Sequence, residues 1–218
     1  SILDKVENKI IVEDCEQKKL ISTIFIHRLG SSLHWGTNRP GWRDSDLVKK
    51  YSRQWHAEGF DVDVMDNEGH GDCTWCVPKE GCIVTLFEIQ NYKDKFPGWD
   101  ICYLEDKYWD QMSPFRKVKQ KNGGKWWVPG EEDSDEFSEY VETYLQDWVG
   151  YVEETVFEVN MLSIDENTIL VNNYNKQVFD FLEKHKIAPV IAPFRHRWFW
   201  DGGVHCVTQD LYRERNYS

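Results

Sequence analysis

"FEVNMLSIDENTILVNNYNKQVFDFLEKHKIAPVIAPF" fills residues 157–194 and decides the fold. FEVNMLSI and TILVNN are two strand-like runs separated by the turn DEN, which reads as a β-hairpin. KQVFDFLEKHK then reads as an amphipathic helix and IAPVIAPF as a returning strand. Hairpin, helix and strand together make one ββαβ unit.

The same order recurs upstream. LISTIFIHR (20–28) reads as a buried strand. Asp44 or Ser45 can cap a helix running to about Glu58, with Gly59 stopping it. FDVDVM (60–65) alternates like a half-buried strand. Then CTWCV, the turn PKEG and CIVTLFE predict a second hairpin, followed by a short helix and the strand GWDICYL (98–104). The fold class is therefore α/β, with the ββαβ unit repeated imperfectly about three times and no exact sequence period. The whole chain, 1–218, reads as a single domain. An insertion of about 105–147 interrupts it, charged and poorly periodic until a helix begins near Ser134. Such an insertion serves as a lid over a site or as a plain surface loop. VHCVTQDL, near the C-terminus, reads as one more strand.

Composition narrows the partners. A net charge of −12 disfavours nucleic acid and anionic membranes, which are themselves polyanions. No apolar run reaches the length of a membrane span, and the opening residues carry no signal-peptide pattern. The six cysteines lie mostly in apolar runs of a chain large enough to need no staples, so reduced thiols in a cytoplasmic setting are expected. Cys73 and Cys76 form a CxxC with Cys82 close by, but no second pair with zinc-finger spacing exists, so buried thiols are expected rather than structural zinc.

Two short stretches carry candidate chemistry. In DNEGHGDC, an extended backbone would point His70 and Asp72 to one face, offering a general base beside a cation-binding acid. In DGGVHCVTQD, Gly203 lets the backbone approach a ligand closely. On a strand, Cys206 and Thr208 share one face and His205 the other, so the base for Cys206 is expected to be His70. A cysteine attacks as its thiolate, a form that a neighbouring imidazolium or a cationic substrate favours.

FRHRWFWDGGVHCVTQDLYR resembles the C-terminal signature of glycine and inosamine amidinotransferases, and agmatine deiminases carry a related block. GHGDCTWCVPKEGCIVT and VNMLSIDENTILVNNYNKQVFDFLEKHKIAPVIAPF are similar to two further segments of the same guanidine-modifying superfamily. The resemblance covers roughly 55–104 and 148–213. It implies a β/α-propeller of ββαβ modules, the pentein fold, incomplete here because that propeller has five modules. It implies Cys206 as nucleophile, His70 as acid/base and Asp72 as a guanidinium anchor. Glu13 in VEDCE is the candidate for orienting the histidine, with Glu16 second, against the alternative of an exposed acidic turn. The implied activity is amidino transfer from a guanidino donor, with deiminase-type hydrolysis or a non-catalytic binding protein as alternatives. Neither a metal nor an organic cofactor is expected, and the partners are a small guanidino or amine substrate and, as one way to cover open flanks, a second copy in a homodimer.

The sequence departs from the family pattern in two places. FEIQNYKDKF lacks the arginine that grips a substrate carboxylate there, and YVEETVF places Glu153 and Glu154 where the family has serines. Glu154 is accordingly a candidate contact for a second cationic group.

Overall fold

The computed structural model describes residues 26–37, 41–66, 71–89, 91–104, 134–144, 158–194 and 202–208. Three three-stranded sheets dominate, each with its strands in chain order. The first contains β1 (Ile26–Leu29), β2 (Ser32–Thr37) and β3 (Asp61–Asp66), with helix α1 (Asp46–Ala57) crossing between β2 and β3. The second contains β4 (Trp75–Lys79), β5 (Cys82–Thr85) and β6 (Asp100–Tyr103). A one-turn helix α2 (Gly71–Thr74) precedes it, and a short helix α3 (Tyr92–Lys95) makes its crossover. Helix α4 (Asp135–Tyr144) lies in the expected insertion, with the Ser134 hydroxyl accepting the Phe137 N–H at 3.2 Å. The third sheet contains β7 (Leu162–Asp165), β8 (Thr168–Val171) and β9 (Ala188–Ile191), with helix α5 (Lys176–Lys184) as crossover.

Each sheet is an antiparallel hairpin whose second strand pairs in parallel with the strand after the crossover. The hairpin turns are two residues long in all three, since Leu29 faces Ser32, Lys79 faces Cys82 and Asp165 faces Thr168. The last turn residue has one further task in every unit. Its carbonyl accepts the first N–H of the returning strand: Asp61 to Ser31 at 2.9 Å, Asp100 to Gly81 at 2.9 Å and Ala188 to Asn167 at 2.6 Å. This bond sets the parallel register, so the ββαβ unit recurs as a geometry although its sequence does not. Among the described residues no sheet closes on itself.

The helices form for local reasons. Ser45 and Asn175 cap α1 and α5 by accepting the N–H groups of Val48 and Val178 at 3.3 and 3.2 Å. Helix α1 buries Val48, Tyr51 and Trp55 at helical spacing against Leu33 and Trp35 of β2. Helix α5 buries Val178 and Leu182, which pack with Ile169, Val171 and Ile187. That core continues into the second unit through Cys76, Cys82, Val84 and Leu104. Met65 and Leu29 join the first unit to Trp75, Ile83 and Tyr92 of the second. Neighbouring units thus share cores, and Ser163 donates to the Pro78 carbonyl at 2.7 Å across the second joint.

Three expectations change. Strand β2 has no counterpart in the sequence reading, because its polar and aromatic residues SLHWGT hide a strand. Asp72 does not lie on an extended segment: Gly71–Thr74 is a helical turn closed by the Thr74 hydroxyl donating to the Gly71 carbonyl at 3.0 Å. VHCVTQDL is not a strand over its described part. Residues 204–207 form a turn, in which Thr208 donates from its N–H to the His205 carbonyl at 3.1 Å and from its hydroxyl to the Val204 carbonyl at 3.0 Å. Residues 105–133 and 145–147 of the expected insertion lie outside the described residues, as do 148–157 after it.

Candidate active site

The lead-ins to two hairpins meet the C-terminal turn. Asp72 sits in α2, three residues before β4 begins, and Asn160 sits two residues before β7. Between them they hold the segment 203–206.

Asp72 is the centre. Its side chain is only 5 % exposed, yet three donors reach its Oδ2: His205 Nδ1 at 3.0 Å, Cys206 Sγ at 3.2 Å and Asn160 Nδ2 at 3.3 Å. The Cys73 thiol lies 3.7 Å from the other oxygen, Oδ1. Burial alone would raise the carboxyl pKa. The hydrogen bond and charge of His205, the bond from Cys206 and the charge of His27 outweigh it and hold Asp72 below the usual carboxylate range. Asp72 is therefore an anion at neutral pH, in a place from which water is largely excluded.

Asn160 positions the thiol. Its Nδ2 also donates to Cys206 Sγ at 3.0 Å and to the Asp72 carbonyl at 3.2 Å. Its Oδ1 accepts the His205 N–H at 3.0 Å. Asn172 works one layer out, donating to the Asn160 carbonyl at 2.6 Å and accepting the Val204 N–H at 2.8 Å. Both asparagines are fully or almost fully buried. They satisfy the backbone of the 203–206 segment and so fix where Cys206 points. Gly203 is part of the same fit, because a Cβ there would lie 2.6 and 2.8 Å from the two amide atoms of Asn172 and overlap Asn160 Oδ1. The close approach foreseen at Gly203 is thus made by side chains of the protein itself.

Cys206 differs from the core cysteines in exposure. It faces solvent, whereas Cys73, Cys76, Cys82 and Cys102 are buried, and all five are thiols rather than disulfides. Burial pushes the Cys76 thiol up to about 12 and Cys102 to about 11, which keeps both protonated and unreactive at neutral pH.

Histidines border the site on its other side. His27 packs its ring 4.4 Å from that of Trp75, and burial, then the charge of His205, push its pKa down to about 4. His27 faces His34 across the first hairpin. His34 Nδ1 lies 3.6 Å from Asp63 Oδ2, and Lys95 pairs with the other oxygen of Asp63. The carboxyl of Asp63 is held low despite burial by these two partners.

Of the residues singled out from sequence, Asp72, Gly203, Cys206 and Thr208 meet in this cluster or its turn. The Thr208 hydroxyl bonds to the carbonyls of its own turn. His70, Glu13, Glu16 and Glu154 lie outside the described residues. The separation of His205 from Cys206 expected of a strand is overturned, since the turn directs both side chains to Asp72 Oδ2. Sequence reasoning passed over Asn160, Asn172 and His27. The available signal for the asparagines was a polar residue inside one apolar run, Asn160 in FEVNMLSI, and at the end of the other, Asn172 after TILV.

No family model matches the chain, and no curated protein matches it in sequence. Solved structures do match in fold. One is SxtG, an amidinotransferase from Microseira wollei in the saxitoxin biosynthetic pathway, at a TM-score of 0.53 and 16 % identity over 88 % of this chain and 45 % of that one. Another is the inosamine-phosphate amidinotransferase StrB1 from Streptomyces griseus, at a TM-score of 0.56 and 16 % identity over 95 % of this chain and 50 % of that one. The chain spans about half the length of these amidinotransferases and shares their mixed α/β fold over that span.

Proposed function

We propose that the protein is an amidinotransferase-type enzyme, taking an amidino group from a guanidino donor through a covalent adduct on Cys206. One observation carries this reading: an exposed thiol lies 3.2 Å from a buried carboxylate that its surroundings keep ionised. A guanidinium is a planar cation that stays protonated near neutral pH, and a desolvated carboxylate is its natural anchor. Asp72 would hold the cation and leave its carbon beside Cys206.

The steps then follow. The Cys206 thiolate attacks the guanidinium carbon, the bond to the departing amine breaks, and His70 gives that amine a proton. An amidino-thioether remains on Cys206. An acceptor amine attacks it, the now neutral His70 takes a proton from that amine, and the thiolate leaves. Glu13, or Glu16 in its place, would orient His70, and Glu154 would meet a second cationic group. Asn160 would stabilise sulfur as it gains charge by donating to it. Gly203 and Thr208 would shape the segment that carries the nucleophile. No cofactor enters these steps. Among the described residues no helix is long and apolar enough to cross a membrane, and a cytoplasmic setting fits the reduced thiols.

The architecture in this reading is a β/α-propeller sector in a single domain, 1–218. Its open flanks are covered by residues 105–147 or by a symmetric second copy, since unpaired strand edges and apolar flanks are costly in water. Sedimentation of the chain with and without 110–140 tests this. A compact monomer that still folds and turns over after the deletion would rule out both forms of cover.

The reaction is tested by intact-protein mass after incubation with a panel of guanidino compounds. An amidino adduct that disappears in Cys206→Ser supports the reading, and no adduct with any donor sinks it. With arginine and glycine supplied together, ornithine plus guanidinoacetate signals transfer, whereas citrulline and ammonia alone signal a deiminase.

A further inference from the structure

We infer that the mouth of this site binds a soft divalent cation of the zinc type, with Cys73, Cys206 and Asp72 as its ligands, and that the ion shuts the site reversibly. The binding stands on geometry alone, while the inhibition rests on the function proposed above.

Asp72 presents one carboxylate oxygen to each sulfur. Cys73 Sγ lies 3.7 Å from Oδ1, and Cys206 Sγ lies 3.2 Å from Oδ2. One donor atom from each of the three residues lies within 4.8 Å of the others. Tetrahedral zinc, with bonds of about 2.3 Å to sulfur and about 2.1 Å to oxygen, needs sulfur–oxygen separations of about 3.6 Å and a sulfur–sulfur separation of about 3.8 Å. The two sulfurs lie against different oxygens of Asp72, so the ion takes one oxygen, and rotation of the exposed Cys206 side chain brings the donor atoms together from within 4.8 Å.

The surroundings suit a metal. Ligating carboxylates are themselves hydrogen-bonded in stable sites, and Asp72 already receives His205 Nδ1 and Asn160 Nδ2 at 3.0 and 3.3 Å. Two sulfur ligands select zinc and cadmium over magnesium and calcium. Cys206 is exposed, so an ion has a way in and its fourth position opens to water. Binding releases the two thiol protons to solvent and changes no oxidation state. The CxxC pair is split by this arrangement: Cys76 belongs to the core beside Val84 and Met161, and the partner of Cys73 is the distant Cys206. A bound ion would occupy the nucleophile and the guanidinium anchor together, so it competes with a guanidino donor for the same atoms.

The test titrates the whole chain with Cd2+ alone and follows the ultraviolet cadmium–thiolate absorption, then displaces Cd2+ with Zn2+. The expected result is one ion on two thiolates. Cys73→Ser and Cys206→Ser should each halve the band and weaken binding about tenfold or more. Zn2+ should protect Cys206 from iodoacetamide in the wild type but not in Cys73→Ser. Because Cys206 is exposed, its serine variant leaves the core intact and keeps the test decisive even if Cys73→Ser fails to fold. A full band at unchanged affinity in Cys206→Ser, or no cadmium–thiolate band in the wild type, would overturn the inference. Either result leaves the amidino-adduct experiment untouched. Conversely, cadmium binding through these ligands with no amidino adduct from any donor would remove the proposed reaction and retain the metal site.

Discussion

The second and third ββαβ units have the same ladder and different uses. Both turn in two residues, both return their last strand onto the turn carbonyl, and both share one apolar core. Yet the segment leading into β4 supplies a buried acid, Asp72, and the segment leading into β7 supplies an amide, Asn160. The pair meets through the Asn160 Nδ2 bonds to the Asp72 carbonyl and carboxylate at 3.2 and 3.3 Å. The difference teaches where specialisation lies in this fold. The ladders fix the distance between lead-ins, and the lead-ins carry the chemistry without disturbing a ladder. The charge goes to one unit and its positioning group to the other.

The largest effects should come from the charged side of that pair and the group it faces. Cys206→Ser should abolish the amidino adduct while leaving the fold intact, because its side chain is exposed. Asp72→Asn should retain much of the shape but remove the anion, with kcat/KM falling roughly 10²–10³-fold, as expected for a lost electrostatic contact to a reacting group. Wild-type turnover by Asp72→Asn on a confirmed substrate would break the division of labour between the two lead-ins.

The amide side should show first in stability. Asn160→Ala leaves the half-buried His205 N–H without its acceptor and the buried Asp72 carboxylate without one donor. A buried hydrogen bond to a charged group is worth about 1.5–3 kcal/mol, so urea unfolding should move by about that amount. Gly203→Ala should do similar damage, about 1–3 kcal/mol, by crowding both asparagines. If Asn160→Ala unfolds like the wild type but fails to form the adduct, its bonds serve chemistry alone.

How much of this was legible depends on what held each segment. The hairpin and helix of 157–194 followed from apolar pattern and a polar turn, both of them local, while the Asn175 cap became visible only in the structure. Segment 204–208 misled because Val, Cys, Val and Thr favour a strand. The turn wins because Thr208 closes it and because Asn160, before β7, and Asn172, just after β8, take the backbone N–H groups a sheet would have used. The pairing of Cys206 with Asp72 was legible by resemblance, since two motifs stood in the right order. The role of Asn160 was not, because it depends on a contact between units that no local pattern encodes. Strand β2 was missed for a third reason: only Leu33 and Trp35 face the core that α1 completes, and the residues around them are polar or small.

A smaller effect should appear with pH, on the first unit's side of the site. His27 has a folded pKa of about 4 against an ordinary 6.5, mainly through burial. Between these values the unfolded chain binds the proton and the folded chain does not, so stability is fully present above about pH 6.5 and declines as pH falls towards 4. Asp72, held below its ordinary 3.8, adds its own loss only at lower pH. Denaturant midpoints measured from pH 7 to pH 4.5 should fall in the wild type and fall less in His27→Phe. Parallel curves for the two proteins would take His27 out of the account.

The smallest effect sharpens the comparison by extending it to all three units. The first and third cross over through full helices with side-chain caps, whereas the second uses only the four residues of α3. Ser45→Ala and Asn175→Ala each remove a cap bond and should each cost about 1 kcal/mol. What matters is how that loss is distributed. The core beneath α5 runs directly into the second unit through Val84 and Leu104. The core beneath α1 is self-contained, and the first unit reaches the second through Met65 and Leu29 instead. If those contacts couple the units, both variants lower one shared unfolding midpoint by equal amounts, and hydrogen exchange accelerates throughout the strands. Faster exchange confined to α1 and its sheet in Ser45→Ala would show that the first unit opens alone. The buried contacts around Trp75 favour the shared transition, because opening the first unit would expose that ring together with Met65.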